Sequence, residues 1–65
     1  MNLVLDAAEE VFAANGFHAS SIEQIARVAE YATGTVYLYF RDKEALYLEL
    51  FEEKIRELGE LIRRQ

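Results

Sequence analysis

Residues 20–43 read SSIEQIARVAEYATGTVYLYFRDK, and the reading of this stretch decides the fold. Ser20 and Glu23 stand at capping-box spacing, in which a serine and a glutamate side chain each satisfy a free backbone N–H at a helix start. Ile22, Ile25, Ala26 and Ala29 then recur at three- and four-residue intervals, which predicts a short helix over about 21–28 with one apolar stripe. Two turns of helix are not stable alone and must pack on a neighbour. A turn at Glu30 to Ala32 leads into a second short helix over 33–40, which Arg41-Asp42 ends. Two short helices joined by a turn of three or four residues form a helix-turn-helix.

The block ATGTVYLYF, residues 32–40, carries no charge. On a helical projection Val36 and Phe40 share a face suited to packing against Ile25 and Ala29, while Thr33, Gly34, Tyr37 and Leu38 share the other. That second face is odd for a solvated surface because it lacks charge, and poor as core because it holds a glycine and a threonine at a helix start. It suits the major groove of DNA. Small residues let the backbone approach the duplex, and free N–H groups at the helix start attract phosphate. Thr35 and the tyrosine hydroxyls can bond phosphate oxygens, Leu38 can meet a thymine methyl, and Tyr37 can reach a base edge or a sugar. Spacing alone accommodates the other assignment equally well, with the same aromatics as core or half-buried surface of a small helical bundle.

Working outward, NLVLDAAEEVFAAN places Val4, Leu5, Ala8, Val11 and Phe12 at helical spacing, which predicts a first helix over about 2–15 stopped by Asn15-Gly16. On the other side Asp42 is a good N-cap for a long helix over about 43–64. Tyr47, Leu50, Phe51, Ile55, Leu58, Leu61 and Ile62 form its apolar stripe, and Gly59 allows close approach of a partner helix. The expected fold is therefore all-α: a three-helix helix-turn-helix domain followed by a long fourth helix, all in one domain over residues 1–65.

Composition narrows the function. The 65 residues include no Cys and no Pro, and the single His18 cannot make a metal site alone. Gly16, Gly34 and Gly59 form no phosphate-cradling loop, and no nucleophile–His–acid set is suggested, so neither an enzyme nor a cofactor is expected. The apolar runs are too short for a bilayer and no signal peptide opens the chain, which predicts a cytoplasmic protein with no membrane partner. The net charge of −5 disfavours a nucleic-acid partner only until its distribution is considered. Between Ser20 and Lys43, Glu23, Glu30 and Asp42 balance Arg27, Arg41 and Lys43, and the excess acid lies outside. Lys43 itself breaks a local rule, because the macrodipole disfavours a cation in a first helical turn by about 0.3–1 kcal/mol. Such residues are functional candidates. With Arg41 it would place positive charge at the edge of the uncharged face, unless it is a solvated lysine paired with Glu44 or Tyr47.

The segment LDAAEEVFAANGFHASSIEQIARVAEYATGTVYLYFRDKEALYLELF resembles the N-terminal DNA-binding domain of the tetracycline-repressor (TetR-like) family of bacterial regulators, from about Val4 to Phe51. GTVYLYFRDKEAL is its most specific part, followed by AAEEVFAANGF and SIEQIARVAE. The resemblance implies that the third helix is the recognition helix, that Thr33, Thr35, Tyr37 and Tyr39 face DNA, that Lys43 contacts a phosphate, and that Ser21 contacts the DNA backbone. Joined to the helical projection, this makes a candidate set of Ser21, Thr33, Gly34, Thr35, Tyr37, Leu38, Tyr39 and Lys43. It further implies a transcriptional repressor whose partner is a double-stranded operator half-site. Two departures stand out: Glu30-Tyr31 replaces the Gly-Val common in the turn, and no basic residues precede the first helix. Relatives continue into a C-terminal ligand-binding and dimerisation domain. Without it, homodimerisation is expected to be weak or absent, and no small-molecule effector site is expected. The competing expectation is a helical protein–protein interaction module that works through the last helix. Burial of Tyr37 and Leu38 would favour that module; exposure of both would favour DNA binding.

Overall fold

The computed structural model describes residues 3–63, with side chains to residue 60. Helix α1 spans Leu3–Asn15, α2 Ile22–Ala29, α3 Thr33–Tyr39 and α4 Lys43–Arg63, and no strand occurs among the described residues. Asn2 and Arg64, the expected outer ends of the first and last helices, and the side chains of Leu61 and Ile62 lie outside what is described. The all-α architecture agrees with the periodicity of the chain.

The core forms where the apolar stripes meet. Val4, Leu5, Ala7, Ala8 and Val11 of α1 close on Ile22, Ile25 and Ala26 of α2, on Val36 of α3, and on Leu46 and Leu50 of α4. Phe12, Ala29 and Phe40 seal its margins. Val36 and Phe40 of the inner side of α3 join the same core as Ile25 and Ala29, as the helical projection predicts. Phe12, Phe17 and Tyr47 meet with ring centroids 5.3–5.5 Å apart, an aromatic cluster that joins the end of α1 and its following loop to the first turns of α4.

Each helix end has a local cause. Gly16 takes the left-handed conformation (φ 82°), and its N–H reaches the Phe12 carbonyl at 2.8 Å. The capping box at α2 is shifted by one residue from the expected one. Ser21 Oγ accepts the Gln24 N–H at 3.2 Å, and Gln24 Oε1 accepts the Ser21 N–H at 3.0 Å. Ser20 instead turns inward and is buried, its hydroxyl set against the carbonyls of Gly16 at 2.6 Å and Val11 at 3.3 Å. The sequence SSIEQ satisfies the pattern in two registers, and burial of Ser20 selects the second.

The turn between α2 and α3 is closed by the Tyr31 N–H on the Ala26 carbonyl (2.9 Å) and the Glu30 N–H on the Arg27 carbonyl (3.1 Å). Glu30 sits at φ 63°, ψ 37°, where a glycine has no Cβ to clash and other residues lose roughly 1–2 kcal/mol. The turn thus keeps a left-handed geometry with a non-glycine residue at its strained position. Helix α3 ends one residue earlier than predicted, because Phe40 adopts an extended conformation (φ −132°, ψ 117°) beside the core. Asp42 caps α4 as expected, its Oδ1 accepting the Ala45 N–H at 2.8 Å.

Candidate nucleic-acid interface

Helix α3 has seven residues and one buried side chain, Val36. Everything around Val36 faces outward. Tyr37 is 45% exposed, Leu38 80% and Tyr39 76%, with Gly34 and Thr35 also exposed and Thr33 half-buried. The short helix therefore presents an unbroken outer surface of two hydroxyl-bearing aromatics, a leucine, two threonines and a glycine. Thr35 and Tyr39, one turn apart, border a shallow groove shared with Tyr31 and the start of α1.

Gly34 has no internal reason to be glycine. Its φ lies outside the left-handed region, and a Cβ built there meets nothing within 4 Å. The chain forgoes helix propensity at this position, and nothing inside the molecule accounts for it.

Ser21 is half-buried at the start of α2 and used as the N-cap. Capping occupies an acceptor lone pair and leaves the hydroxyl hydrogen as a donor. Seven of the eight sequence candidates thus lie on α3 or at the start of α2.

Lys43 is placed differently. Its ammonium does not pair with Glu44 or Tyr47. It reaches back across the chain to the loop between α1 and α2, donating to the carbonyls of Phe17 (2.7 Å), Ser20 (3.1 Å) and His18 (3.2 Å). The Nζ also stands 4.5 Å from the centroid of the Phe17 ring. An ammonium has three hydrogens, and three carbonyls receive them. These contacts compensate the unfavourable dipole at the start of α4, which is why a cation is tolerated there. The partners lie 23–26 residues away in the chain, a separation at which sequence pattern carries no signal.

Charges near this surface are few and exposed. Arg41 pairs loosely with Asp42 at 3.5 Å, and Glu30 stands exposed in the turn. Among the described residues no helix is long and apolar enough to cross a membrane.

A helix-turn-helix with an exposed, uncharged, hydroxyl-rich second helix defines a class of DNA-binding regulators, and comparison with known proteins agrees. The model of the tetR family of bacterial regulatory proteins matches residues 4–50, and this chain belongs to that family. It is 48% identical over 61 residues to the fatty acid metabolism regulator protein of Bacillus subtilis, covering 94% of this chain and 30% of that protein. It is 44% identical over 43 residues to the transcriptional regulator UidR of Escherichia coli K12, covering 66% of this chain and 22% of that one. Among solved structures it superimposes on the fatty acid degradation regulator FadR of Bacillus halodurans with a TM-score of 0.93 at 41% identity, over 97% of this chain and 33% of that one. The match to FadR of Bacillus subtilis, solved with stearoyl-CoA, has a TM-score of 0.89 at 44% identity, over 95% and 33%. The chain therefore spans between about a fifth and a third of the length of these relatives.

Proposed function

We propose that this chain is the DNA-reading part of a transcriptional repressor, and that α3 docks in the major groove of an operator half-site. The observation that carries the reading is the exposure of Tyr37 and Leu38 at 45% and 80% on a helix whose opposite face buries Val36. In this arrangement Tyr37 and Leu38 meet base edges and thymine methyls, and Thr33, Thr35 and Tyr39 bond phosphate oxygens. Gly34 lets the backbone approach, and Ser21 donates its hydroxyl hydrogen to the backbone of the duplex. Lys43, whose ammonium rests on three backbone carbonyls in the chain alone, contacts a phosphate at the margin of this set, as the family resemblance implies. The described residues carry no catalytic role in this reading, which accords with relatives named as regulators.

A selection from randomised duplexes by gel shift tests the proposal. A recovered consensus half-site supports it, and Tyr37→Ala should weaken binding to that site by about 1–3 kcal/mol while leaving helicity unchanged, since it removes contacts and no core. Retention of no duplex above non-specific background overturns it. Tyr39→Phe should lose less, because only one hydroxyl goes.

The exposed Tyr47, Leu48, Phe51, Ile55 and Leu58 of α4 favour a second, compatible role for that helix as a surface for protein contact. That face is separate from α3, so it adds to the DNA-binding reading without competing for the same residues.

A further inference from the structure

The turn between α2 and α3 carries a side chain that the turn itself does not need. Residue 31 is fixed through its backbone: Glu30 takes the left-handed conformation before it, and the Tyr31 N–H donates to the Ala26 carbonyl at 2.9 Å. Neither feature calls for a tyrosine. The Tyr31 ring is 44% exposed and stands outside the core cluster. It lines the groove of about 310 Å³ that it shares with Val4, Thr35, Val36, Tyr39 and Phe40. Val4 and Val36 are buried and Phe40 half-buried, so these three make the floor, whereas Tyr31, Thr35 and Tyr39 stand exposed around it. Three hydroxyls from the turn and from α3 thus surround an apolar floor, with no charged side chain among the lining residues.

That lining matches a stretch of DNA backbone. A deoxyribose presents C–H groups and lies between two phosphates, whose oxygens accept hydrogen bonds from hydroxyl donors. Thr35 and Tyr39 belong both to the groove and to the outer surface of α3, so a strand held at those two hydroxyls overlies the groove. A free small molecule is a poorer match, because pockets for such ligands enclose most of the ligand surface and this groove is shallow. We propose that Tyr31 is a further DNA-contacting residue. Its hydroxyl donates to a phosphate oxygen of the strand that Thr35 and Tyr39 hold, and the adjoining deoxyribose packs over Phe40 and the edges of Val4 and Val36. The proposal rests on the DNA-binding reading above and extends its contact surface from α3 into the turn. Because the contact is to the backbone, it adds affinity and fixes register without preferring a base.

Tyr31→Phe keeps the ring and the turn and removes one oxygen. The variant should keep the urea midpoint of the native chain and bind a duplex recovered by selection roughly three- to tenfold more weakly. A duplex of unrelated sequence should weaken by a similar factor, and the salt slope should not change, since no cation is lost. Methylphosphonate substitution, one phosphate at a time along the selected site, then locates the contact. At one phosphate the loss measured with the native chain should shrink with Tyr31→Phe, whose partner hydroxyl is already gone. The Tyr31 ring protons should also shift by NMR when the native chain binds the duplex. Native affinity in Tyr31→Phe, equal losses for the two chains at every phosphate, or a lowered urea midpoint would each overturn the proposal. A Tyr31 ring that does not shift in the bound chain would overturn it too and leave the groove to another occupant. A native chain that recovers no duplex defeats the DNA-binding reading and this contact with it, whereas the other adverse outcomes leave that reading standing.

Discussion

Gly34→Ala separates stability from recognition at a single atom. The added methyl meets nothing within 4 Å, and alanine is the better helix former by about 0.8–1 kcal/mol, so the variant should resist urea better than the native chain. If Gly34 exists for close approach to DNA, the same variant should lose affinity for the selected site. Greater stability with unchanged binding would remove Gly34 from the interface. Glu30 offers the complementary case. Its left-handed conformation is one that glycine adopts without strain, so Glu30→Gly should raise stability by about 1 kcal/mol, read as a higher urea midpoint. It also removes a negative charge from the turn beside the proposed DNA face, and affinity should rise with it.

Among the described residues, the apolar side chains that α4 buries in the core lie in its first turns. Leu46 is fully buried and Leu50 nearly so, whereas Phe51, Ile55 and Leu58 are all more than half exposed. Leu46→Ala should cost about 2–5 kcal/mol. A single core below about 70–80 residues rarely supplies more than about 3–5 kcal/mol, so circular dichroism should show a largely unfolded variant at 25 °C. Farther along, Lys54 bonds Glu9 of α1 at 2.8 Å, with both side chains about half exposed. The hydrogen bond that the Lys54 ammonium donates to Glu9, and then the charge of Glu9, hold the Lys54 pKa above the ordinary 10.5. Because the folded value is the raised one, the pair stabilises fully below 10.5, and its contribution disappears as the pH climbs through the raised value. Lys54→Gln should therefore differ slightly from the native chain in urea midpoint at neutral pH, and not at all once Lys54 has titrated. Salt should shrink the neutral-pH difference as well.

Over the whole molecule, the long axis of 41 Å against 22 and 18 Å reflects α4 running beyond the core. Its exposed apolar residues are interleaved with Glu49, Glu52, Glu53, Glu57 and Glu60, and the chain carries a net charge of −5. Two copies meeting along this helix would bring acid against acid. The 65-residue chain should therefore be mostly monomeric at micromolar concentration and bind a palindromic duplex without strong cooperativity. Dimers gain by holding two units at half-site spacing, and linkage of that kind raises apparent affinity about 10²–10⁴-fold. Sedimentation with and without duplex reads this directly. A stable free dimer would make the stripe of Tyr47, Phe51, Ile55 and Leu58 an interface in its own right. Stearoyl-CoA, the ligand in the Bacillus subtilis FadR structure, should leave DNA binding by this chain unchanged, as a gel shift can show.

The local features of this protein are written in its sequence because they depend on neighbours three or four residues apart. Apolar periodicity marks all four helices, Gly16 and Asp42 mark two of their ends, and Val36 and Phe40 mark the inner side of α3. The same projection groups Thr33, Gly34, Tyr37 and Leu38 on the other side of α3, and the wider candidate set rests on the family resemblance as well. What remained open depended on burial and on distant partners. SSIEQ allows two capping registers, and only the packing of Ser20 against the Gly16 and Val11 carbonyls selects Ser21 as the cap. The aromatic block at 32–40 fits core and surface alike by spacing, and tertiary packing leaves Tyr37, Leu38 and Tyr39 outside. Lys43 broke a helix rule in sequence, but the compensation comes from three carbonyls more than twenty residues away, whose convergence exists only once α1 and α4 have closed on the core.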